Sequence, residues 1–165
     1  PALTRCRVRP PRLWSPRKET TRHRRQSPAR GLAMTIVDVS RVAVFPNPAL
    51  LGAELNLEID YQCATPIQHA RWVVTYTVDM TATKTVLHLG TTEPRTCESG
   101  ATNFLKFHCD AIDVAGVKQS ALHNVSVLTA SLVDDGSGEL AKVVCVTQVT
   151  KTGEGLTRNV ISLLE

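Results

Sequence analysis

The stretch LNLEIDYQC, residues 55–63, decides the fold class. Its apolar side chains fall on every second position, from Leu55 to Cys63, and polar side chains fill the positions between them. Strict alternation is typical of a β-strand, in which successive side chains point to opposite faces of the sheet. One face of this strand is therefore predicted to be buried, and the other to contact solvent.

Further runs with strand character lie before and after this stretch in the chain. Six of them are rich in β-branched or aromatic residues: 35–45, 71–79, 83–90, 104–110, 124–133 and 140–149. The last two flank DDGSGE, residues 134–139, which is predicted to be a hairpin connection. Because no helical segments separate the runs, a parallel βαβ architecture is excluded. We predict an all-β fold, an immunoglobulin-like antiparallel β-sandwich of about seven strands.

Two other segments complete the predicted fold. Residues 44–51, VFPNPALL, hold two prolines around Asn47, which favours a crossing from one sheet to the other. The final residues 156–165, LTRNVISLLE, are predicted to form one short C-terminal helix.

Charge divides the chain into two parts. Residues 1–33 contain ten lysines and arginines and one acid, a net charge of +9; residues 34–165 contain nine lysines and arginines and fourteen acids, a net charge of −5. We predict a disordered basic Pro/Arg-rich leader over 1–33 and a sandwich domain over 34–165. Since an acidic domain repels phosphate, we expect it to make no direct DNA contact and to favour a basic protein partner.

The origin of the leader has three open interpretations. It can be upstream sequence that is not native to the protein, with Met34 as the natural start. It can be a mitochondrial-type transit peptide, because it is rich in arginine and poor in acids. It can also be a basic arm that contacts nucleic acid.

Motifs that carry enzymatic chemistry are missing from the sequence. GxSxG, HExxH, the P-loop and the dinucleotide fingerprint do not occur, and the five histidines are dispersed. The five cysteines have no zinc-type spacing. Cys63, Cys109 and Cys145 lie in strand-like runs and are predicted to be buried free thiols, which suggests a reducing compartment. We therefore expect no enzymatic activity, no small-molecule substrate, no cofactor, no metal site and no membrane association.

The segment from Met34 to Asp79 resembles the opening of the anti-silencing function histone chaperones. The matching pieces are the asparagine–proline turn at Asn47, the acidic alternating strand 55–63, and Trp72 with Tyr76 in the next strand. GATNFLKFHCDA, residues 100–111, and RNVISLLE, residues 158–165, resemble two later segments of the family. The resemblance covers residues 34–165, and it favours a leader that is extraneous or cleaved.

The resemblance implies a nuclear binding module that shields the dimer of histones three and four during chromatin assembly and disassembly. In such chaperones the central strands hold apolar side chains against a histone helix. Carried over to this chain, the apolar positions include Ser126 and Leu128, the family's arginine falls on Lys142, and its tyrosine falls on Val146. With Val144 between them, these residues form the predicted partner-binding set.

A second hypothesis keeps the fold and changes the function. The domain would be a non-catalytic structural subunit of a large ribosomal, respiratory or axonemal assembly, with the basic leader as an arm or a targeting remnant. A mitochondrial location would follow if the leader is a transit peptide.

Overall fold

The computed structural model describes residues 36–79, 84–136, 138–162 and 164. The leader and Met34 lie outside the described residues, so the predicted disorder of 1–33 and the boundary at Met34 stay predictions. The described residues form ten strands and one short 3-10 helix at Ala121–His123. The strands are β1 (Val37–Phe45), β2 (Ala49–Leu50), β3 (Leu55–Cys63), β4 (Ile67–Val78), β5 (Thr85–Thr91), β6 (Arg95–Cys97), β7 (Thr102–Cys109), β8 (Ser126–Val133), β9 (Glu139–Thr152) and β10 (Gly155–Ile161).

Two antiparallel sheets make up the sandwich. One has the order β1-β3-β7, and the other has the order β2-β10-β9-β8-β4-β5, with β6 added beside the first half of β4. All seven predicted strands are present, and β2, β6 and β10 are additional. The predicted all-β, antiparallel sandwich class is therefore confirmed.

The core lies between the facing sides of β3, β4, β8 and β9. In β3 the alternating side chains are buried at every odd position, so the prediction for residues 55–63 holds along the whole strand. Tyr61 of β3 meets Trp72 of β4 edge to face, with ring centroids 5.3 Å apart and an interplanar angle of 75°. This geometry suits the opposite charges of an aromatic edge and face, and it adds to the burial of both rings.

The hairpin predicted over residues 134–139 joins β8 to β9 as expected. The Asp134 carboxylate accepts hydrogen bonds from the backbone N–H groups of Gly136 and Gly138, both at 3.2 Å. Gly138 has a φ of 80°, which a residue with a side chain rarely adopts. The turn residues thus hold the connection that sets the register of the two central strands.

The predicted C-terminal helix is wrong. Residues Gly155–Ile161 form strand β10, which pairs antiparallel with β9 from Gly155 opposite Thr152 to Ile161 opposite Val146. The segment has a period of two, because Arg158 and Val160 are buried while Asn159 and Ile161 are exposed. The segment pairs with the edge of β9. This pairing, together with the alternation, outweighs the helix propensity of the leucines.

The segment VFPNPALL connects the two sheets, as predicted, because β1 belongs to one sheet and β2 to the other. Its Asn47 side chain makes the hydrogen bonds that a neighbouring strand would make at the edge of β10. The Asn47 amide donates to the Val160 carbonyl at 2.7 Å and accepts from the Val160 N–H at 2.9 Å. Both backbone groups of Val160 are therefore satisfied where regular pairing with β2 has ended.

Arg158 is a fully buried cation that holds the turn after β2. Its guanidinium donates to the backbone carbonyls of Leu50, Leu51, Ala53 and Glu54, at 2.5 to 3.2 Å. Its exposed fraction is 0%, and burial lowers the pKa of the guanidinium. A single side chain of β10 thereby satisfies four carbonyls of residues 50–54.

We predict that Arg158→Met lowers the free energy of unfolding by about 3 kcal/mol, because an unsatisfied buried polar group costs about 1–3 kcal/mol and four carbonyls lose a donor. Urea unfolding followed by circular dichroism measures the change. Arg41→Met is the control, since Arg41 forms an ion pair with Glu58 at 3.4 Å while its side chain is 54% exposed. Exposed pairs contribute about 0–1 kcal/mol. Equal midpoints for the two variants would contradict the role of Arg158.

Candidate functional site

The outer face of the larger sheet is the candidate functional site. We define it by thirteen residues on five adjacent strands that point away from the core. They are Val86 and His88 of β5; Val73, Thr75 and Thr77 of β4; Val127, Thr129 and Ser131 of β8; Lys142, Val144 and Val146 of β9; and Asn159 and Ile161 of β10.

A mainly aliphatic row crosses all five strands in register. Val86 lies opposite Thr77, Thr77 opposite Val127, Val127 opposite Val146, and Val146 opposite Ile161. Val86 is 56% exposed, Val146 41% and Ile161 43%. Directly opposed side chains in a sheet lie in contact on the same face. In this row, named here the valine row, Val127 is half-buried and Thr77 is buried at 8% exposed, so the exposed aliphatic side chains are Val86 on one side and Val146 and Ile161 on the other.

Exposed apolar side chains concentrate around this row. The described residues contain ten exposed large hydrophobic side chains, and four of them (Val86, Val144, Val146 and Ile161) belong to the outer face. Val125, which directly precedes β8, is a fifth. Single exposed apolar residues are ordinary, but a contiguous group indicates an interaction surface.

The predicted partner-binding set divides between the two faces of the sheet. Lys142, Val144 and Val146 lie on the outer face as expected. Ser126 and Leu128 do not, because each is only 1% exposed. Their cross-strand partners are Thr147 and Cys145, which are buried as well. Because successive side chains of a strand point to opposite faces, each residue of β8 lies on one face of the sheet only. The outward positions predicted on β8 are therefore shifted by one residue.

The residues that the prediction missed are Val127 on β8, Val86 on β5 and Ile161 on β10. One signal in the sequence favoured the correct face of β8. Leu128 and Leu132 stand at even-numbered positions, and Thr129 and Ser131 at odd-numbered ones, so the two pairs point to opposite faces of the strand. Large aliphatic side chains indicate the core side of a half-buried strand. No comparable signal was available for Ile161, because its segment was predicted to be helical.

Few charges lie on the outer face. Lys142 contacts the Glu139 carboxylate at 3.1 Å, and Ser131 donates to the same carboxylate at 2.7 Å. The hydroxyl of Ser131, followed by Lys142, lowers the pKa of Glu139. Glu139 thus neutralises Lys142, and the valine row beside them is uncharged.

A second concave feature lies at the hairpin end of the sandwich. A pocket of about 410 Å³ is lined by residues that include Ile36, Thr65, Pro66, His69, Asp135 and Leu140. Asp135 accepts from Arg71 at 2.5 Å and from His69 at 3.3 Å, and the Arg71 hydrogen bond lowers the pKa of the Asp135 carboxyl. Asp135 is therefore paired with Arg71 and His69, and the Asp134 carboxylate accepts from the backbone of its own turn, which is typical of structural contacts.

Within residues 36–79, 84–136 and 138–162, no group of three or more His, Cys, Asp or Glu side chains is placed to hold a metal ion. Burial and the neighbouring Cys97 raise the pKa of the Cys63 thiol to about 11, so Cys63 is a poor nucleophile at neutral pH. Among those same residues, no helix has the length and apolar character to cross a bilayer.

Comparison with known proteins identifies one family. The model of the ASF1-like histone chaperones matches residues 34–159. No curated protein sequence matches the chain.

Two solved structures are among those to which the chain is similar. The sporulation control protein Spo0M from Bacillus subtilis is 8% identical, with a TM-score of 0.40, over 77% of this chain and 49% of its own. A putative beta-galactosidase from Bacteroides fragilis is 14% identical, with a TM-score of 0.37, over 78% of this chain and 18% of its own. The chain thus spans less than half the length of each, and similarity at this level supports no conclusion about function.

Two neighbouring substitutions test which side chains of β8 point into the core. We predict that Leu128→Ala lowers the free energy of unfolding by about 2–5 kcal/mol, as for other buried leucines. Val127→Ala, one residue earlier, is expected to cost less than about 1 kcal/mol because its side chain is on the outer face. Thermal and urea unfolding of both variants gives the comparison. The reverse order of costs would restore Leu128 to the partner-binding surface.

Proposed function

Because the chain belongs to the ASF1-like histone chaperone family, we propose that residues 34–165 shield the dimer of histones three and four during chromatin assembly and disassembly. The observation that carries this proposal is the part of the valine row on β8, β9 and β10, where Val127, Val146 and Ile161 are opposed across adjacent strands of the larger sheet. The proposed contact is between this part of the row and an apolar face of a histone helix. The family is non-catalytic, and the proposed role likewise needs no reaction.

Apolar burial supplies the affinity in this proposal. Fully burying a valine or isoleucine side chain contributes about 1.5–3 kcal/mol. Val86, Val146 and Ile161 are already about half covered, so each has roughly 1 kcal/mol left to gain on binding. Val127 and Val144 extend the same surface. Such a cover would mask a client surface that otherwise aggregates.

Charge supports the choice of a basic client. The net charge of −5 over residues 34–165 attracts a strongly basic protein from a distance and speeds its encounter with the domain. The valine row itself has no charge to offer. We therefore assign steering to the acidic domain as a whole, and the contact energy to the aliphatic side chains of the outer face.

A nuclear location follows from the same proposal, because the family suggests it and histones are assembled there. The structural-subunit hypothesis needs a large assembly that contains this domain at a fixed ratio. No feature of the outer face favours it over the chaperone hypothesis.

We predict that the full-length protein co-elutes with the histone dimer in low salt, and that Val146→Glu weakens binding at least tenfold. The carboxylate would be buried against an apolar helix, and each 1.4 kcal/mol lost is about a tenfold change in affinity. Titration calorimetry of wild type and variant gives both dissociation constants. Raising the salt concentration should weaken wild-type binding, because screening reduces the attraction between the acidic domain and the client.

The matched control is Phe104→Glu, which places the same charge on the other sheet, where Phe104 is 52% exposed. It should leave histone binding within about twofold, well below the 1.4 kcal/mol of a tenfold change. A wild-type protein that does not co-elute with the dimer at low salt removes the proposal. Native mass spectrometry that finds the chain at fixed stoichiometry in a histone-free complex would instead support a structural subunit.

A further inference from the structure

We propose that Cys63 and Cys97 form a redox-active pair, which a hydroperoxide converts into a disulfide that joins the two sheets. Each residue is the last of its strand. Cys63 ends β3 in the smaller sheet, and Cys97 ends β6, which is added to the larger sheet. Both cysteines are free thiols, and their exposed fractions are 2% and 0%. A bridge between them is therefore a covalent link through the core, from one sheet to the other.

Contacts inside the core bring the two thiols together. The Cys97 sulfur lies 3.2 Å from the hydroxyl oxygen of Tyr61. Cys63 is the next residue after Tyr61 on the buried face of β3, because the side chains of this strand alternate without interruption. The Cys97 thiol is also close enough to Cys63 to interact with it as a hydrogen-bond partner. The two sulfur atoms are thus neighbours within one buried cluster.

The backbone holds the two segments side by side. Ser99, two residues after Cys97, pairs with Cys63 in an isolated parallel bridge, and the Gly100 N–H donates to the Cys63 carbonyl at 3.1 Å. The Ser99 hydroxyl donates to the Ala64 carbonyl at 2.9 Å. These contacts use backbone groups and one hydroxyl, so they persist when the two sulfur atoms become bonded.

Strand β6 is short enough to adjust when the sulfur atoms close to bonding distance. It has three residues, and its register with β4 consists of two pairs, Ile67 with Cys97 and Ala70 with Arg95, with an irregularity between them. Short segments with few backbone hydrogen bonds open at a low cost in free energy. An adjustment of β6 therefore does not require the central strands β8 and β9 to move.

The sandwich has room for such a bridge beside its aromatic core. Immunoglobulin domains carry a disulfide between their two sheets, packed against a buried tryptophan. Here Trp72 lies edge to face against Tyr61, with ring centroids 5.3 Å apart, and the Tyr61 hydroxyl contacts Cys97. The cysteine pair therefore occupies a comparable position, next to the largest side chains of the core.

A pocket gives a small oxidant access to one thiol of the pair. The pocket has a volume of about 280 Å³, and Cys63, Ser99 and Gly100 are among the residues that line it. Cys97 does not line the pocket and is fully buried. Cys63 is therefore the thiol that meets the oxidant, and Cys97 is the thiol that reacts with the product.

The reaction has two balanced steps. The Cys63 thiol loses its proton to solvent, and the thiolate attacks one oxygen of hydrogen peroxide. The O–O bond breaks, Cys63 becomes a sulfenic acid, and the second oxygen leaves as hydroxide, which takes up the proton and forms water. The Cys97 sulfur then attacks the Cys63 sulfur, the S–O bond breaks, and the oxygen leaves as water with the Cys97 proton. Two thiols are oxidised by two electrons, and one peroxide is reduced to two water molecules.

The environment of Cys63 makes the first step slow. Burial, followed by the neighbouring Cys97, raises the pKa of the Cys63 thiol to about 11, so the thiolate is scarce at neutral pH. The rate of oxidation should therefore increase about tenfold for each pH unit between about pH 7 and pH 9. The pair stays reduced in traces of peroxide and closes under sustained oxidation. In a reducing compartment, thiol–disulfide exchange then opens the bridge again.

Oxidation of the reduced full-length chain with hydrogen peroxide tests the pair. The remaining free thiols are alkylated, and the chain is digested with trypsin without reduction. The digest should contain residues 42–71 joined to residues 96–106, the two tryptic peptides that carry Cys63 and Cys97. The melting temperature, followed by circular dichroism, should rise by about 5–10 °C because the bridge closes a long loop of the unfolded chain. Dithiothreitol should reverse both changes.

Substitutions test the order of the two steps. In Cys97→Ser, Cys63 should accumulate as a sulfenic acid that dimedone labels, with no joined peptide and no rise in melting temperature. In Cys63→Ser, Cys97 should stay reduced. Cys109→Ser is the matched control, because Cys109 is half-buried and donates to the Ala111 carbonyl at 3.1 Å, away from the pair. It should form the joined peptide as the wild type does. Circular dichroism shows that each variant is folded.

Several results would overturn the pair. They are a wild-type chain whose Cys63 stays reduced in sustained peroxide, joins another cysteine, or proceeds to sulfinic acid while Cys97 remains free. A joined peptide that leaves the melting temperature unchanged contradicts the link between the sheets, and a rate that does not depend on pH contradicts Cys63 as the first thiol. No histone takes part in these measurements, so their outcome is independent of the proposed function.

Discussion

The alternation of buried and exposed side chains along four strands is the constraint on which the rest of the structure depends. Trp72 and Tyr76 of β4 fill the core with Leu128 of β8 and Leu57 of β3, and all four are at most 1% exposed. Once these side chains are inside, the intervening residues have to be outside. The outer face is therefore the complement of the core, and its composition follows from the register that the core imposes.

Arg158 extends this constraint to the end of the chain. A buried cation without an ionised partner in contact is costly, and here backbone carbonyls take the place of a carboxylate. The guanidinium has enough donors to satisfy four carbonyls at once, which an ammonium group could not do in the same planar geometry. Arg158 and Ile161 lie on the same strand, and the pairing of that strand with β9 sets Ile161 opposite Val146 at the end of the valine row.

The sequence was sufficient for the fold class and for seven of the ten strands in the described residues, because alternation is a local property that each strand displays by itself. It failed where the outcome depends on neighbours. Gly155–Ile161 is a strand because the free edge of β9 is available to it, which a local pattern cannot show. Ser126 and Leu128 were assigned to the surface by a carried-over family pattern, and a displacement of one residue is enough to exchange the two faces of β8. Lys142, Val144 and Val146 were assigned by the same carried-over pattern, and all three lie on the outer face.

The exposed face of the larger sheet offers a partner mostly aliphatic side chains. The resemblance puts the family's arginine position at Lys142, and an ammonium group lacks the bidentate geometry of a guanidinium. The charge of Lys142 is taken up by Glu139, so it contributes little to direct recognition of a partner. What remains is aliphatic area, which is non-directional and accepts any apolar surface of suitable shape. Specificity on such a face has to come from the surfaces that it excludes. Charged surfaces are excluded by the cost of desolvation, and rough surfaces are excluded by poor packing against a flat sheet.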